Sequence, residues 1–172
     1  MKNLIITVLL CFSMPVIAQD VAIDQGLEET VFEKYDALEM GSPTRQDPLA
    51  MNAAVVWSTK KDQLAVVMKV NLLEKWHIYA YAEENTPFIM SKIICELPKG
   101  IMPIGEWVKS ESEASTDGLH IYEGELFFIR FYQVKDDSLI GKGTEFKCGL
   151  YYQTCDPNQC LPPSTKIKVL RL

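Results

Sequence analysis

Two cysteines five positions apart, Cys155 and Cys160, are the residues of this chain whose type and spacing most directly suggest chemistry. They lie in the run Tyr151-Tyr152-Gln153-Thr154-Cys155-Asp156-Pro157-Asn158-Gln159-Cys160-Leu161-Pro162-Pro163. Asp-Pro-Asn between them favours a turn, which lets the two sulfurs meet across a tight loop. Pro162 and Pro163 hold the following chain extended and delay its return to a sheet ladder. In the chain-entropy model a bond closing about six residues contributes roughly 2 kcal/mol, which makes it a weak staple. A small ring is also a readily exchanged bond when one of its sulfurs is exposed. Spacing therefore leaves two readings open, a structural pin for the loop and a redox-active pair. The gap differs from the two-residue gap of thioredoxin-like motifs, so that family does not follow. No cation stands between the cysteines, and the Asp156 carboxylate disfavours a thiolate beside it.

Other chemistry finds little support. The chain has five cysteines, and the remaining three are Cys11, Cys95 and Cys148. Cys148 shares a strand face with Phe146 and Leu150, and Cys95 shares one with Ile93 and Leu97, so both read as buried core thiols. An inter-sheet Cys95–Cys148 disulfide of the immunoglobulin kind is the alternative. The only two histidines, His77 and His120, are far apart and have no cysteine at ligand spacing, which argues against a metal site. Met40, Met51, Met68, Met90 and Met102 are dispersed and suit core gaps better than copper. No nucleophile triad, phosphate loop or dinucleotide fingerprint occurs, and no cofactor is expected. With 17 basic against 23 acidic residues the net charge is −6, and no Lys/Arg cluster offers a face for nucleic acid.

The elements that must position the cysteines can be read from periodicity. Met1-Lys2, an apolar stretch from Leu4 to Val16 and Val16-Ile17-Ala18 read as a secretory signal peptide over residues 1–18. Its apolar part is too short for a stable membrane anchor, and no later stretch is long enough to span. Export places the remaining cysteines in an oxidising compartment, where close pairs tend to become disulfides. Residues 19–50 form a lead-in. Leu27, Val31, Tyr35 and Leu38 recur at helical spacing, Asp24 suits an N-cap, and Gly41 followed by Pro43 stops the helix. From Met51 the period becomes two. Leu64 to Leu72 alternates as a half-buried strand, and Ala53–Trp57, Trp76–Tyr81, Phe88–Leu97, Glu125–Val134, Thr144–Tyr152 and Thr165–Arg171 also read as strands. Short strands at regular spacing predict an all-β, antiparallel β-sandwich over residues 51–172, preceded by a short helical segment. The polar stretch Ser110–His120 reads as a loop.

Here the chain resembles a known family, the N-terminal periplasmic domain of the thiol:disulfide interchange protein DsbD, also called the disulfide bond corrector domain. The resemblance rests on Tyr152-Gln153-x-Cys155 with Cys160-Leu161-Pro162-Pro163. It adds, in the family's order, Trp76-His77-Ile78-Tyr79, Leu97-Pro98-Lys99-Gly100 and Ile121-Tyr122-x-Gly124, and covers roughly residues 48–172. The cysteine motif is fairly specific, while the other pieces persuade only as an ordered set.

The resemblance implies an immunoglobulin-like sandwich whose cysteine pair shuttles between dithiol and disulfide. It implies electrons taken from a membrane-embedded thiol reductase and passed to thioredoxin-fold proteins. It matches Cys160 to the cysteine that forms mixed disulfides, Cys155 to its internal mate, and Tyr79 to an aromatic packed near the pair, with His77 where another aromatic can stand. Ser110–His120 falls where the family has a shielding cap, but Ser115-Thr116-Asp117-Gly118 lacks an aromatic, leaving Trp107 or Tyr122 as substitutes. The family's membrane and thioredoxin-like domains have no counterpart in this chain, and Cys95 and Cys148 stand outside its motif. The expectation is an exported protein, periplasmic if the source has an outer membrane. The alternatives are a binding sandwich with a purely structural Cys155–Cys160 bond, or an assembly factor that recognises thioredoxin-fold proteins without electron transfer. The sequence sets no oligomeric state.

Overall fold

The computed structural model describes residues 21–82, 86–115 and 118–172, so the signal segment read over residues 1–18 lies outside the described residues. In chain order the elements are α1 (Gln25–Asp36), β1 (Leu49–Trp57), β2 (Gln63–Leu72), β3 (His77–Ala82), β4 (Lys92–Glu96), β5 (Ile101–Lys109), β6 (Glu113–Ala114), β7 (Leu119–Glu123), β8 (Glu125–Val134), β9 (Glu145–Tyr152), β10 (Thr154–Cys155) and β11 (Ser164–Arg171). Strands take 51% of the chain and helix 10%, which makes the fold all-β with one short helix.

All ladders between these strands are antiparallel. One sheet has the order β1-β2-β8-β5. Across the core stand a three-stranded sheet, β11-β9-β4, and a four-stranded one, β10-β3-β7-β6. Alternation builds the core between them. Leu64, Val66, Met68, Val70 and Leu72 of β2, with Leu126, Phe128 and Tyr132 of β8, meet Phe146, Cys148, Leu150 and Tyr152 of β9, Ile78 of β3 and Tyr122 of β7. One contact is close enough to dictate residue type. A Cβ on Gly149 would stand 2.0 Å from the Lys166 carbonyl oxygen, so only glycine lets β9 and β11 approach here.

The opposite face of β2 departs from the half-buried pattern read in the sequence. Ala65 and Val67 are also fully buried, with Val56, Ile129 and Phe131, under Leu27 and Val31 of α1 and Leu38 beyond its end. The helix therefore covers the outer face of the first sheet and makes a third layer. Asp24 caps it as expected, its carboxylate accepting from the Leu27 amide at 3.0 Å. The cap is itself held, since the Asp24 amide donates to Gln63 Oε1 at 2.9 Å. Tyr35 donates to Glu125 Oε1 at 2.9 Å, and the buried Lys69 reaches the same carboxylate at 3.3 Å while lying over the Tyr35 ring.

Pairing adds one strand that the periodicity did not mark and refines two readings. Ile101–Lys109 is a strand although its sequence does not alternate, because a register shift between Ile104 and Val108 interrupts the ladder. Within Ser110–His120, Glu113–Ala114 pairs with Ile121–His120 on β7, so this polar stretch is partly a small hairpin rather than a simple loop. Phe88–Leu97 is strand only from Lys92 to Glu96, preceded by a single bridge between Tyr79 and Met90.

Candidate functional site

Cys155 and Cys160 are joined in a disulfide, with their Cα atoms 4.0 Å apart. The bond closes a hairpin that the backbone has already formed. The Asp156 amide donates to the Gln159 carbonyl at 2.8 Å and the Leu161 amide to the Thr154 carbonyl at 2.9 Å. At the tip, the Asp156 carboxylate accepts from the amides of Asn158 at 2.7 Å and Gln159 at 2.9 Å. These bonds hold that carboxyl below the usual carboxylate range, so it is ionised at neutral pH.

The two cysteines differ in exposure. Cys155 retains 1% of its accessible surface, because β10 zips onto β3 with Cys155 opposite His77 and Thr154 opposite Ile78. Cys160 stands on the returning arm and is exposed. The short β10 thus places one cysteine inside and leaves the other exposed.

Neighbouring aromatics form a row on β3. His77 meets Tyr79 edge-on with ring centroids 5.2 Å apart, and its Nε2 lies 3.4 Å from the Tyr79 hydroxyl oxygen. Phe88 stacks on the other side of Tyr79 at 4.6 Å. Burial lowers the His77 pKa against the opposing pull of Glu123 and Asp156, so the imidazole beside Cys155 is neutral at pH 7. Burial also raises the Tyr79 phenol. Gln153 ties this row to the hairpin, with Oε1 accepting from the Ile89 amide at 3.2 Å and Nε2 donating to the Leu161 carbonyl at 3.2 Å. A cleft of about 470 Å³ opens beside the hairpin tip, lined by Arg45, Lys75, Trp76 and Asp156–Gln159.

Of the residues singled out in the sequence, Cys155, Cys160, His77 and Tyr79 are brought together. Tyr122 points into the core, where it meets Phe128 edge-on at 5.7 Å. Trp107 lies on β5 and lines a different cleft, beside Cys95 and Tyr132. Phe88 was not anticipated, although an apolar aromatic directly after Thr86-Pro87 is the signal that could have found it. Gln153 stood in the motif without a role, and its two hydrogen bonds now supply one. Cys95 and Cys148 are free thiols directly opposed on β4 and β9 of one sheet, not an inter-sheet pair. Among the described residues no cluster of three or more His, Cys, Asp or Glu could hold a metal ion, and no helix is long and apolar enough to cross a membrane.

No protein-family model matches the chain, and no curated protein matches it in sequence. Among solved structures it is similar to the yeast GGA1 GAE domain, at TM-score 0.44 and 12% identity over 78% of this chain and 98% of that one. It is similar to the N-terminal periplasmic domain of ScsB from Proteus mirabilis, at TM-score 0.44 and 15% identity over 77% of this chain and 49% of that one. It is also similar to the reduced DsbD N-terminal domain of Neisseria meningitidis, at TM-score 0.39 and 16% identity over 69% of this chain and 83% of that one. All three scores lie below 0.5, so function must be argued from the site itself.

Proposed function

We propose that this chain is an exported thiol–disulfide exchange domain that relays electrons between a membrane-embedded thiol reductase and thioredoxin-fold proteins through Cys155–Cys160. The observation that carries the reading is the asymmetry of the bond, with Cys160 exposed and Cys155 buried against His77. Exchange needs one sulfur that a partner can reach. A structural pin gains nothing from such a difference, and this hairpin is already closed by backbone bonds.

In the proposed reaction a thiolate of the reductase attacks Cys160 Sγ. A mixed disulfide forms, the Cys155–Cys160 bond breaks, and Cys155 leaves as a thiolate that takes up a proton. The reductase's second thiol loses its proton and displaces Cys160, which departs with the electron pair. The reductase ends oxidised and the domain ends as a dithiol, two electrons richer. Cys160 then attacks the disulfide of a thioredoxin-fold protein, and Cys155 resolves that mixed disulfide. His77 stands across the strand pair from Cys155, with Tyr79 behind it. Neither of the titratable groups flanking the pair activates a thiol, since His77 is neutral and Asp156 is an anion. Reduced Cys160 is therefore a sluggish nucleophile until a partner surface changes its surroundings, which suits a carrier that must not reduce chance disulfides.

The test is trapping. Reduced protein carrying Cys155→Ala should accumulate a mixed disulfide through Cys160 with an envelope thioredoxin-fold protein. Redox titration supplies the second arm. A working bond opens at the mild potentials of thioredoxin-like proteins, whereas a structural one resists to below about −300 mV. Failure to trap any such partner, together with a bond that stays closed, would reduce the site to a loop pin.

A further inference from the structure

The free thiols Cys95 and Cys148 form a second chemical site that the Cys155–Cys160 reading does not use. They are direct cross-strand partners in the β4–β9 ladder. Directly opposed residues in antiparallel strands stand about 4.5–5.5 Å apart at Cα. That lies inside the span of roughly 4.4–6.8 Å that a disulfide bridges without backbone movement. The two thiols differ as an attacking and a resolving group should. Cys148 is fully buried, while Cys95 is only half-buried and opens onto a cleft of about 360 Å³.

The groups facing Cys95 come from two other strands. From β9, the Cys148 thiol stands opposite Cys95 in the ladder and favours its thiolate. From β8, the Tyr132 hydroxyl donates to Cys95 Sγ at 3.6 Å, and Arg130 contributes positive charge. These donors and the guanidinium lower the Cys95 pKa against the opposing effect of burial, while the Cys148 thiol is pushed up. The bulge in β5 completes the wall. Arg130 Nη2 donates to the Gly105 carbonyl at 2.8 Å, and Trp107 enters the same cleft. Glu106, the nearest carboxylate to Arg130 at 3.9 Å, is itself exposed. Arg130 Nε is buried with no partner among the described residues, and Arg130 is the one charged side chain lining the cleft. The guanidinium, one-fifth exposed, is thus the positive charge that a ligand in this cleft would meet, which favours an anionic one.

We propose that Cys95 and Cys148 are a second dithiol site, in which Cys95 attacks an anionic low-molecular-weight disulfide in this cleft and Cys148 resolves the product into a cross-strand bond. Cys95 thiolate attacks one sulfur of the small disulfide, a mixed disulfide forms, and the first small thiolate leaves and is protonated. Cys148 gives up its proton and attacks Cys95 Sγ, forming Cys95–Cys148 and expelling the second small thiol. The protein loses two electrons and the small disulfide gains them. This inference stands on its own geometry and survives whether or not Cys155–Cys160 proves to be a carrier.

The test uses the intact protein with Cys155–Cys160 closed and oxidised glutathione as the probe, followed by non-reducing peptide mass mapping. A Cys95–Cys148 bond should form with release of two glutathiones per chain. Cys148→Ala should stop at a glutathione adduct on Cys95, and Cys95→Ala should leave Cys148 unmodified. Tyr132→Phe should slow alkylation of Cys95 about fivefold at pH 7, the effect of one lost hydrogen bond to the thiolate, and move its pH midpoint upward. Oxidised glutathione should outpace the cationic disulfide cystamine. A first adduct on Cys148, an adduct on Cys95 that never resolves in the intact protein, or an unmoved pH midpoint in Tyr132→Phe would overturn the site. So would faster reaction with cystamine.

Discussion

Opening the Cys155–Cys160 bond without unfolding the protein is the perturbation that best separates a working disulfide from a pin. The ring runs from residue 155 to residue 160. Loop-closure entropy for about six residues amounts to roughly 2 kcal/mol. Nothing else in the folded state must change. The hairpin keeps its Asp156–Gln159 and Leu161–Thr154 backbone bonds and the Asp156 cap. The inner sulfur stays buried as a thiol, which behaves as a small apolar group. For a domain of this size 1 kcal/mol moves Tm by about 2–4 °C, so reduction should lower it by about 4–8 °C. The measurement is thermal unfolding of the oxidised and the fully reduced protein, followed by near-ultraviolet circular dichroism. Reduction is preferable to substitution here, because a serine at 155 would bury an unpaired hydroxyl. A loss near twice the expected size, or collapse of the near-ultraviolet signal on reduction, would show that the fold depends on the bond and would refute the reasoning.

Further outcomes follow from the same contacts. Asp156→Asn keeps an acceptor at the hairpin tip but removes its charge, so alkylation of reduced Cys160 at pH 7 should quicken roughly twofold, the size of one exposed and screened charge. His77 has its pKa lowered by burial, so the folded state resists its protonation. Stability from this residue is complete above the unfolded value near 6.5 and declines as pH falls below it. Urea midpoints should drop between pH 7.5 and 5.5, and His77→Gln should flatten that slope. Leu27, 1% exposed under the first sheet, should cost about 2–5 kcal/mol on change to Ala, read as a lowered urea midpoint with an unchanged slope.

Much of the architecture is legible where one physical rule acts alone. Phe146, Cys148, Leu150 and Tyr152 alternate cleanly because β9 buries one face, and Asp24 marks the helix start because its side chain has no better use. Reading fails where two demands compete at one position. Ala65 and Val67 occupy the polar phase of β2, yet they are buried because α1 covers them, and nothing local to β2 announces a helix from residues 25–36. β5 carries Pro103 and Gly105, which argue against a strand, but it sits at a sheet edge where a missing donor is tolerated. The cysteine hairpin was visible from its turn residues and spacing. The burial of one sulfur was not, since it depends on two residues of β10 finding β3 from across the chain. The register that sets Cys95 against Cys148 was equally out of reach, because alternation gives a residue's face and leaves its cross-strand neighbour undetermined.

The broken edge of β5 has one more consequence, for the company the molecule keeps. A sheet that ends in a straight row of free amides and carbonyls invites a second chain to dock as an extra strand. Here Pro103 offers no amide, and the shift between Ile104 and Val108 turns the backbone out of line just where Met102 and Val108 leave apolar surface in water. The same irregularity that makes this strand hard to recognise also denies a stacking template to its own copies, and so guards a chain with sticky side chains on its rim against growing into fibres.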